Sequence, residues 1–152
     1  MFATGMALYQ TTGATIWKPL HLTYLAKAYA ELGQLDDARS CIAKARTAVE
    51  TTKECWFEAE LNRTAGEIAL NSPKRDVEKV QAHFERALAV ARQQQAKSWE
   101  LRASMSLARL WRDQDKVQQA RELLAPVYGW FTEGFDTLDM KEAKPLLDEL
   151  HA

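Results

Sequence analysis

The residue types that could carry out chemistry are few in this chain, and they are not spaced for it. The histidines, His21, His83 and His151, include no pair at the i, i+4 spacing that places two metal ligands on one helix face. Cys41 and Cys55 have 13 residues between them, which fits no metal-ligand spacing. No serine lies in the Gly-x-Ser-x-Gly turn of nucleophilic hydrolases. The sequence therefore predicts no catalytic residue, no metal and no cofactor, in a protein that is not an enzyme.

The charged residues offer a more specific candidate, a partner-binding groove. Arg102, Arg109 and Arg112 follow i, i+7 and i+10, so they share one face of a helix. Guanidinium groups bind carboxylates through paired hydrogen bonds, and we expect this row to accept an acidic or C-terminal carboxylate-bearing segment of a protein or peptide. The alternative is an ordinary solvated helix face. The predicted groove comprises Lys27, Arg63, Glu67, Arg102, Arg109 and Arg112.

The elements that must position these side chains are helices, because apolar residues recur three times with the same helical spacing. Each set steps by three, four, three and four residues, which keeps its members on one helix face. The sets begin 42 and then 40 residues apart, a period that indicates stacked supersecondary units. They are Leu35, Ala38, Ile42, Ala45 and Val49; Val77, Val80, Phe84, Ala87 and Ala91; and Val117, Ala120, Leu124, Val127 and Phe131.

A finer pattern of small and aromatic residues accompanies the first apolar set. Its members are Leu25, Ala26, Tyr29, Gly33, Ala38, Ile42 and Ala45. The spacing resembles that of the tetratricopeptide repeat, in which small residues let the two helices of a hairpin approach closely. The resemblance implies an all-α fold, a right-handed α-solenoid of antiparallel helix hairpins with a C-terminal capping helix.

We expect one domain over residues 1–152, built from successive units. The predicted parts are a remnant of a preceding helix (1–13), three repeats (17–51, 56–95 and 98–131) and a capping helix (136–150). Asp115 occupies the turn position that Gly33 occupies in the first repeat. Ser72 and Ser98 are the predicted N-caps of the helices that follow them.

A tryptophan introduces each predicted repeat, at Trp17, Trp56 and Trp99. Aromatic side chains bury a large apolar area, which favours an interpretation as packing anchors between units. The alternative is a row of exposed aromatic contacts for a partner.

The later part of the chain carries a narrower resemblance. The stretches 91–103, 107–111 and 123–137, the last of them ending in Gly-Trp-Phe-Thr-Glu-Gly-Phe-Asp-Thr, are similar to the C-terminal repeats of large bacterial signalling ATPases, many of which carry a cyclase or DNA-binding domain. The resemblance implies a non-catalytic protein-interaction or regulatory module, the C-terminal arm of a larger signalling protein. An effector-sensing domain that binds a peptide or small molecule and regulates a cyclase or ATPase is the alternative. This sequence has no phosphate-binding loop ending in Gly-Lys-Ser/Thr, so neither activity carries over to any residue.

Charge and composition narrow the classes of partner. With 20 basic and 21 acidic residues the net charge is −1, which favours neither nucleic acid nor an anionic membrane surface. No apolar run approaches the roughly 20 residues of a membrane-spanning helix. We expect a cytoplasmic protein with reduced thiols, and a homodimer through an open N-terminal end.

Overall fold

The computed structural model describes residues 16–151, together with residues 4, 5 and 11. The chain is helical over residues 16–151, with no strand in that range, so the predicted all-α class is confirmed. The predicted remnant over residues 1–13 lies outside the described residues, apart from 4, 5 and 11. The helices of residues 16–151 are α1 Lys18–Glu31, α2 Leu35–Thr52, α3 Glu58–Leu70, α4 Val77–Gln93, α5 Lys97–Arg112, α6 Val117–Gly129 and α7 Leu138–Glu149.

The helices pack as consecutive pairs. Helix α1 packs on α2, α3 on α4, and α5 on α6, each pair joined by a short turn. The first helix of each pair also contacts the first helix of the next pair, and α5 contacts α7 in the same way. The odd-numbered helices therefore line up beside one another, which brings residues of distant sequence position together. None of the helices in the described range is both long and apolar enough to span a bilayer.

The apolar stripes form the core of each pair, although two of their first residues are exposed. Ala38, Ala45, Ala87 and their neighbours at the middle of the stripes are buried, and the alanines allow close approach of the helix backbones. The first residues of the second and third stripes, Val77 and Val117, are exposed. Both lie at the first position of a helix.

The pair of α3 and α4 is fitted around one aromatic ring. A Cβ atom at Gly66 would lie 2.5 Å from Cε1 of Phe84, too close for any side chain unless the ring moves. Phe84 is fully buried, so it has little room to move. The absence of a side chain at Gly66 therefore allows α3 and α4 to pack this closely.

The turns and caps agree with the sequence only in part. Asp115 and Gly33 both adopt the left-handed conformation, with φ of 61° and 75°, as predicted. Ser72 does not cap α4: its hydroxyl accepts a hydrogen bond from Arg39, and Asp76 caps the helix by accepting from the backbone N–H of Lys79 at 3.2 Å. The prediction for Ser72 is wrong because α4 begins only at Val77, so its N-cap position falls on Asp76.

The predicted cap at Ser98 is also wrong. Helix α5 begins at Lys97, so Ser98 lies inside its first turn. The residue before the helix is Ala96, whose N–H donates to the carbonyl of Ala91 at 2.9 Å after a left-handed Gln95. This backbone bond turns the chain directly into α5, and no side-chain cap is used.

Four aromatic residues form a row along one end of the helix pairs, which we call the aromatic row: Trp17, Trp56, Phe57 and Trp99. Successive ring centroids are 5.2, 5.3 and 5.5 Å apart, and the rings meet edge to face. Trp17 and Trp56 are half exposed, at 51% and 44%, whereas Phe57 is buried and Trp99 packs against Ala59, Val90 and Ala91. The anchor at the second pair is thus Phe57 rather than the tryptophan that the sequence singles out.

Candidate partner-binding cavity

A cavity of about 400 Å³ opens between α1, α3, α5 and α7. Five of the six predicted groove residues line it: Lys27, Arg63, Glu67, Arg102 and Arg109. They meet because each lies on an odd-numbered helix, and these helices stand side by side. The sixth predicted residue, Arg112, is not part of the lining.

The inner wall of the cavity is a nearly saturated polar network around Arg63. Its guanidinium donates to both oxygens of Glu60, at 2.8 and 2.6 Å, and to Glu67 at 2.7 Å. Ser106 of α5 donates to the same oxygen of Glu67 at 2.9 Å, which joins α3 to α5. Burial alone would lower the pKa of Arg63, but the hydrogen bonds and charges of Glu60 and Glu67 outweigh burial and raise that pKa. Arg63 is therefore a fixed cation, and the network around it connects α3 to α5 through Ser106.

The arginine row on α5 is paired with carboxylates of α7. Arg102 donates to Asp139 at 2.7 Å and Arg109 donates to Glu142 at 3.2 Å. Arg112 donates to Glu149 at 2.6 Å, beyond the cavity, and also contacts its neighbour Asp113. The sequence of one helix face is therefore not enough to predict the net charge of the surface that it forms, because the neutralising carboxylates come from a helix some 35 residues later in the chain.

Arg102 has a second contact that links the cavity to the aromatic row. Its guanidinium carbon lies 5.1 Å from the centroid of the Trp99 ring, a cation–π arrangement. Its Nη1 also lies 3.7 Å from Glu60. Arg102 is thus held between α3, α7 and the ring of Trp99.

The lining as a whole is balanced in charge. It contains four basic side chains, Lys27, Arg63, Arg102 and Arg109, and four acidic ones, Glu60, Glu67, Asp139 and Glu142. The lining is therefore not the predominantly basic surface that a row of arginines would make. The predicted groove contains the four cations and Glu67 but misses Glu60, Asp139 and Glu142.

Lys27 differs from the other cations of the lining. It is exposed on α1 and has no ion-pair partner within the range that the structure describes. It also lines an adjoining cavity of about 180 Å³, which shares Arg63, Thr64 and Glu67 with the first. Its ammonium group is therefore available to an incoming acceptor.

Two apolar side chains that the sequence does not single out stand on opposite walls. Tyr24 of α1 is 47% exposed, with its ring 5.9 Å from that of the buried Phe57. Leu138, the first residue of α7, is 71% exposed. The signal available in the sequence was weak, because each is a single large side chain that belongs to none of the repeated patterns.

The remaining reactive groups lie away from the cavity. Among the described residues no group of three or more His, Cys, Asp or Glu side chains is arranged to hold a metal ion. Cys41 and Cys55 are free thiols. Burial raises the pKa of the Cys41 thiol, so less of it is present as the reactive thiolate.

A comparison of the chain with models of known protein families and with curated proteins finds no match. The function must therefore be argued from the cavity itself.

Proposed function

We propose that this chain is a non-catalytic protein-interaction or regulatory module, and that a segment of a partner protein occupies the cavity between α1, α3, α5 and α7. One observation carries the proposal: the first helices of three successive pairs, together with α7, contribute to a single open cavity with both charged and apolar walls. Recognition by a repeated helical array uses this kind of extended surface.

The arrangement we propose is a right-handed α-solenoid of tetratricopeptide-like hairpins. The packing of each first helix on the next supports it, since each unit of a solenoid contacts its neighbours. In this arrangement α7 is the cap of the last unit. It buries Met140, Ala143, Leu146 and Leu147 with the core residues of α5 and α6, and turns polar residues outward.

The resemblance of the later stretches to bacterial signalling ATPases supports a more specific role. We propose that the module acts in the cytoplasm as the C-terminal arm of such a protein and brings a partner to it. Self-association through the N-terminal end is part of the same proposal, and light scattering across a concentration series tests it.

A second candidate is an effector-sensing domain. The adjoining cavity of about 180 Å³ favours it, because the two cavities share the side chains of Lys27, Arg63, Thr64 and Glu67 and a small molecule could bridge them. Small-molecule sites are typically lined mostly by apolar groups, whereas this lining is dominated by charged residues, so we place the peptide first.

A selection of peptides on the purified chain tests the proposal, and it does not require the identity of the natural partner. The starting library consists of random linear peptides, and the binders are measured on Lys27→Glu and on the control Arg121→Glu. Arg121 is exposed on α6 and, in the part of the chain described, has no ion-pair partner, as is the case for Lys27. Each variant replaces a positive by a negative side chain, so the two make the same charge change. We expect Lys27→Glu to weaken binding by about tenfold or more, a loss that corresponds to one charged contact, and Arg121→Glu to leave it unchanged. Equal affinities for the two variants would contradict the proposal.

A further inference from the structure

We infer that the segment bound in this cavity is of mixed charge: it brings an acidic and a basic side chain close to an apolar one. This inference rests on the proposed function and deepens it. It departs from the uniformly acidic partner that the arginine row alone would predict.

The first argument is the balance of the lining. A uniformly acidic segment would meet Lys27 and Arg109, but it would also lie against Glu67, Asp139 and Glu142. Like charges placed side by side oppose binding, and interfaces select partners by matching potentials of opposite sign. A lining of four cations and four anions matches a segment that carries both signs.

The second argument is which groups still have hydrogen-bonding capacity. Arg63 is saturated by Glu60 and Glu67, so it has little to offer a partner. Arg109 and Glu142 are joined by one hydrogen bond, from Nη2 to Oε2, and their side chains are 40% and 47% exposed. The rest of the Arg109 guanidinium and Oε1 of Glu142 have no hydrogen-bond partner among the described residues. This pair can thus accept an anion on one side and a cation on the other without breaking.

The third argument concerns the positions of the open groups. Lys27 lies on the α1 wall beside Tyr24, and the Arg109–Glu142 pair spans α5 and α7, where Leu138 begins α7. The cations with free hydrogen-bonding capacity, Lys27 and Arg109, therefore lie on two different walls, and the carboxylate with free capacity is Glu142. One exposed apolar side chain lies on each side of the cavity, Tyr24 on α1 and Leu138 on α7. An acidic side chain fits against Lys27 or Arg109, a basic one against Glu142, and an apolar one against Tyr24 or Leu138.

The test reverses one ion pair and leaves the fold intact. Peptides selected on the wild-type chain are measured on the double variant Arg109→Glu/Glu142→Arg, which keeps the pair but exchanges its ends. The control is Lys144→Asp/Asp148→Lys, which exchanges an exposed pair on α7 that does not line the cavity. Thermal unfolding confirms that both variants are folded.

We expect the selected peptides to contain acidic and basic residues, and to lose affinity about tenfold or more on the Arg109/Glu142 exchange but not on the control. Exchanging the charges of only those peptide residues that face Arg109 and Glu142, while the residue that contacts Lys27 stays acidic, should then restore binding to the exchanged variant. Uniformly acidic peptides that lose binding on Lys27→Glu, or mixed-charge peptides indifferent to the exchange, would overturn this inference and leave the proposed function standing. A selection that yields no peptide sensitive to Lys27→Glu overturns the proposed function, and this inference fails with it.

Discussion

Two groups of charged side chains line the same cavity, and they are alike in residue type but differ in burial and in hydrogen bonding. Around Arg63 the side chains of the arginine and of Glu60 are only 15% and 9% exposed, and their hydrogen bonds are made within the chain. Between α5 and α7, Arg109 and Glu142 are 40% and 47% exposed and share one hydrogen bond. The inner network fixes neighbouring helices, whereas the outer pair remains open to a partner.

The comparison shows that burial, rather than residue type, decides what an arginine does here. A buried ion pair depends on both members, since removing one leaves an uncompensated charge away from water. An exposed pair is screened by solvent and contributes little. Mutations that treat the two groups alike should therefore give very different results.

The largest effect is expected from Arg63→Met. The change leaves Glu60 buried without its bidentate partner, which should lower the free energy of unfolding by about 3–5 kcal/mol. Urea unfolding followed by circular dichroism measures this loss. A loss below about 1 kcal/mol would mean that Glu60 finds solvent or another cation, and the contrast between the two groups would disappear.

A second variant separates the loss of the pair from the loss of its charge balance. Glu60→Leu/Arg63→Met removes both charges, so no uncompensated carboxylate remains. We expect the double variant to be more stable than Arg63→Met alone, by at least about 1 kcal/mol, in a double-mutant cycle. Additive losses would show that the network acts through packing and not through charge.

Acid provides a third test on a buried carboxylate that lies outside the cavity. The side chain of Glu100 is only 6% exposed and accepts from Lys97 at 2.7 Å and Arg92 at 3.0 Å. Burial alone would raise the pKa of Glu100, but these hydrogen bonds outweigh it and lower that pKa.

A folded-state pKa below that of the unfolded chain means that the stabilisation is present above the ordinary glutamate pKa of about 4.3. It is then lost as the pH falls toward the lower folded value. The free energy of unfolding should therefore decrease below about pH 4.3 in the wild type, and less steeply in Glu100→Gln. Identical pH profiles for the two chains would count against this account.

The smallest effect is expected from the outer pairs. Arg109→Gln and Arg112→Gln each remove an exposed ion pair with α7, so each should lower the free energy of unfolding by about 1 kcal/mol or less. Raising the salt concentration should reduce that difference further. A loss comparable to that of Arg63→Met would place the α5–α7 pairs among the structural ones and would argue against Arg109 as part of the proposed binding surface.

The sequence predicts the helices well, because periodicity of apolar residues is a local property. It also predicts that Lys27, Arg63 and Arg109 line one groove, because they fall on corresponding helices of successive repeats. It misses Asp139 and Glu142 as the partners of Arg102 and Arg109, because an ion pair between helices depends on which helices pack together. The predicted cap at Ser98 is wrong because the backbone hydrogen bond from Ala96 to the carbonyl of Ala91 turns the chain so that α5 already begins at Lys97.

The aromatic row has an optical consequence. The indole rings of Trp17 and Trp56, 5.2 Å apart and inclined by 75°, are close enough for their electronic transitions to couple. Trp99 lies at the other end of the row beneath the guanidinium of Arg102, which itself lines the cavity. Occupation of the cavity should therefore change the fluorescence of Trp99. The near-ultraviolet circular dichroism of the Trp17–Trp56 pair reports on the other end of the row, which lies outside the cavity. The chain carries its own spectroscopic probe at each end of one continuous row of rings, and no label needs to be attached to observe binding.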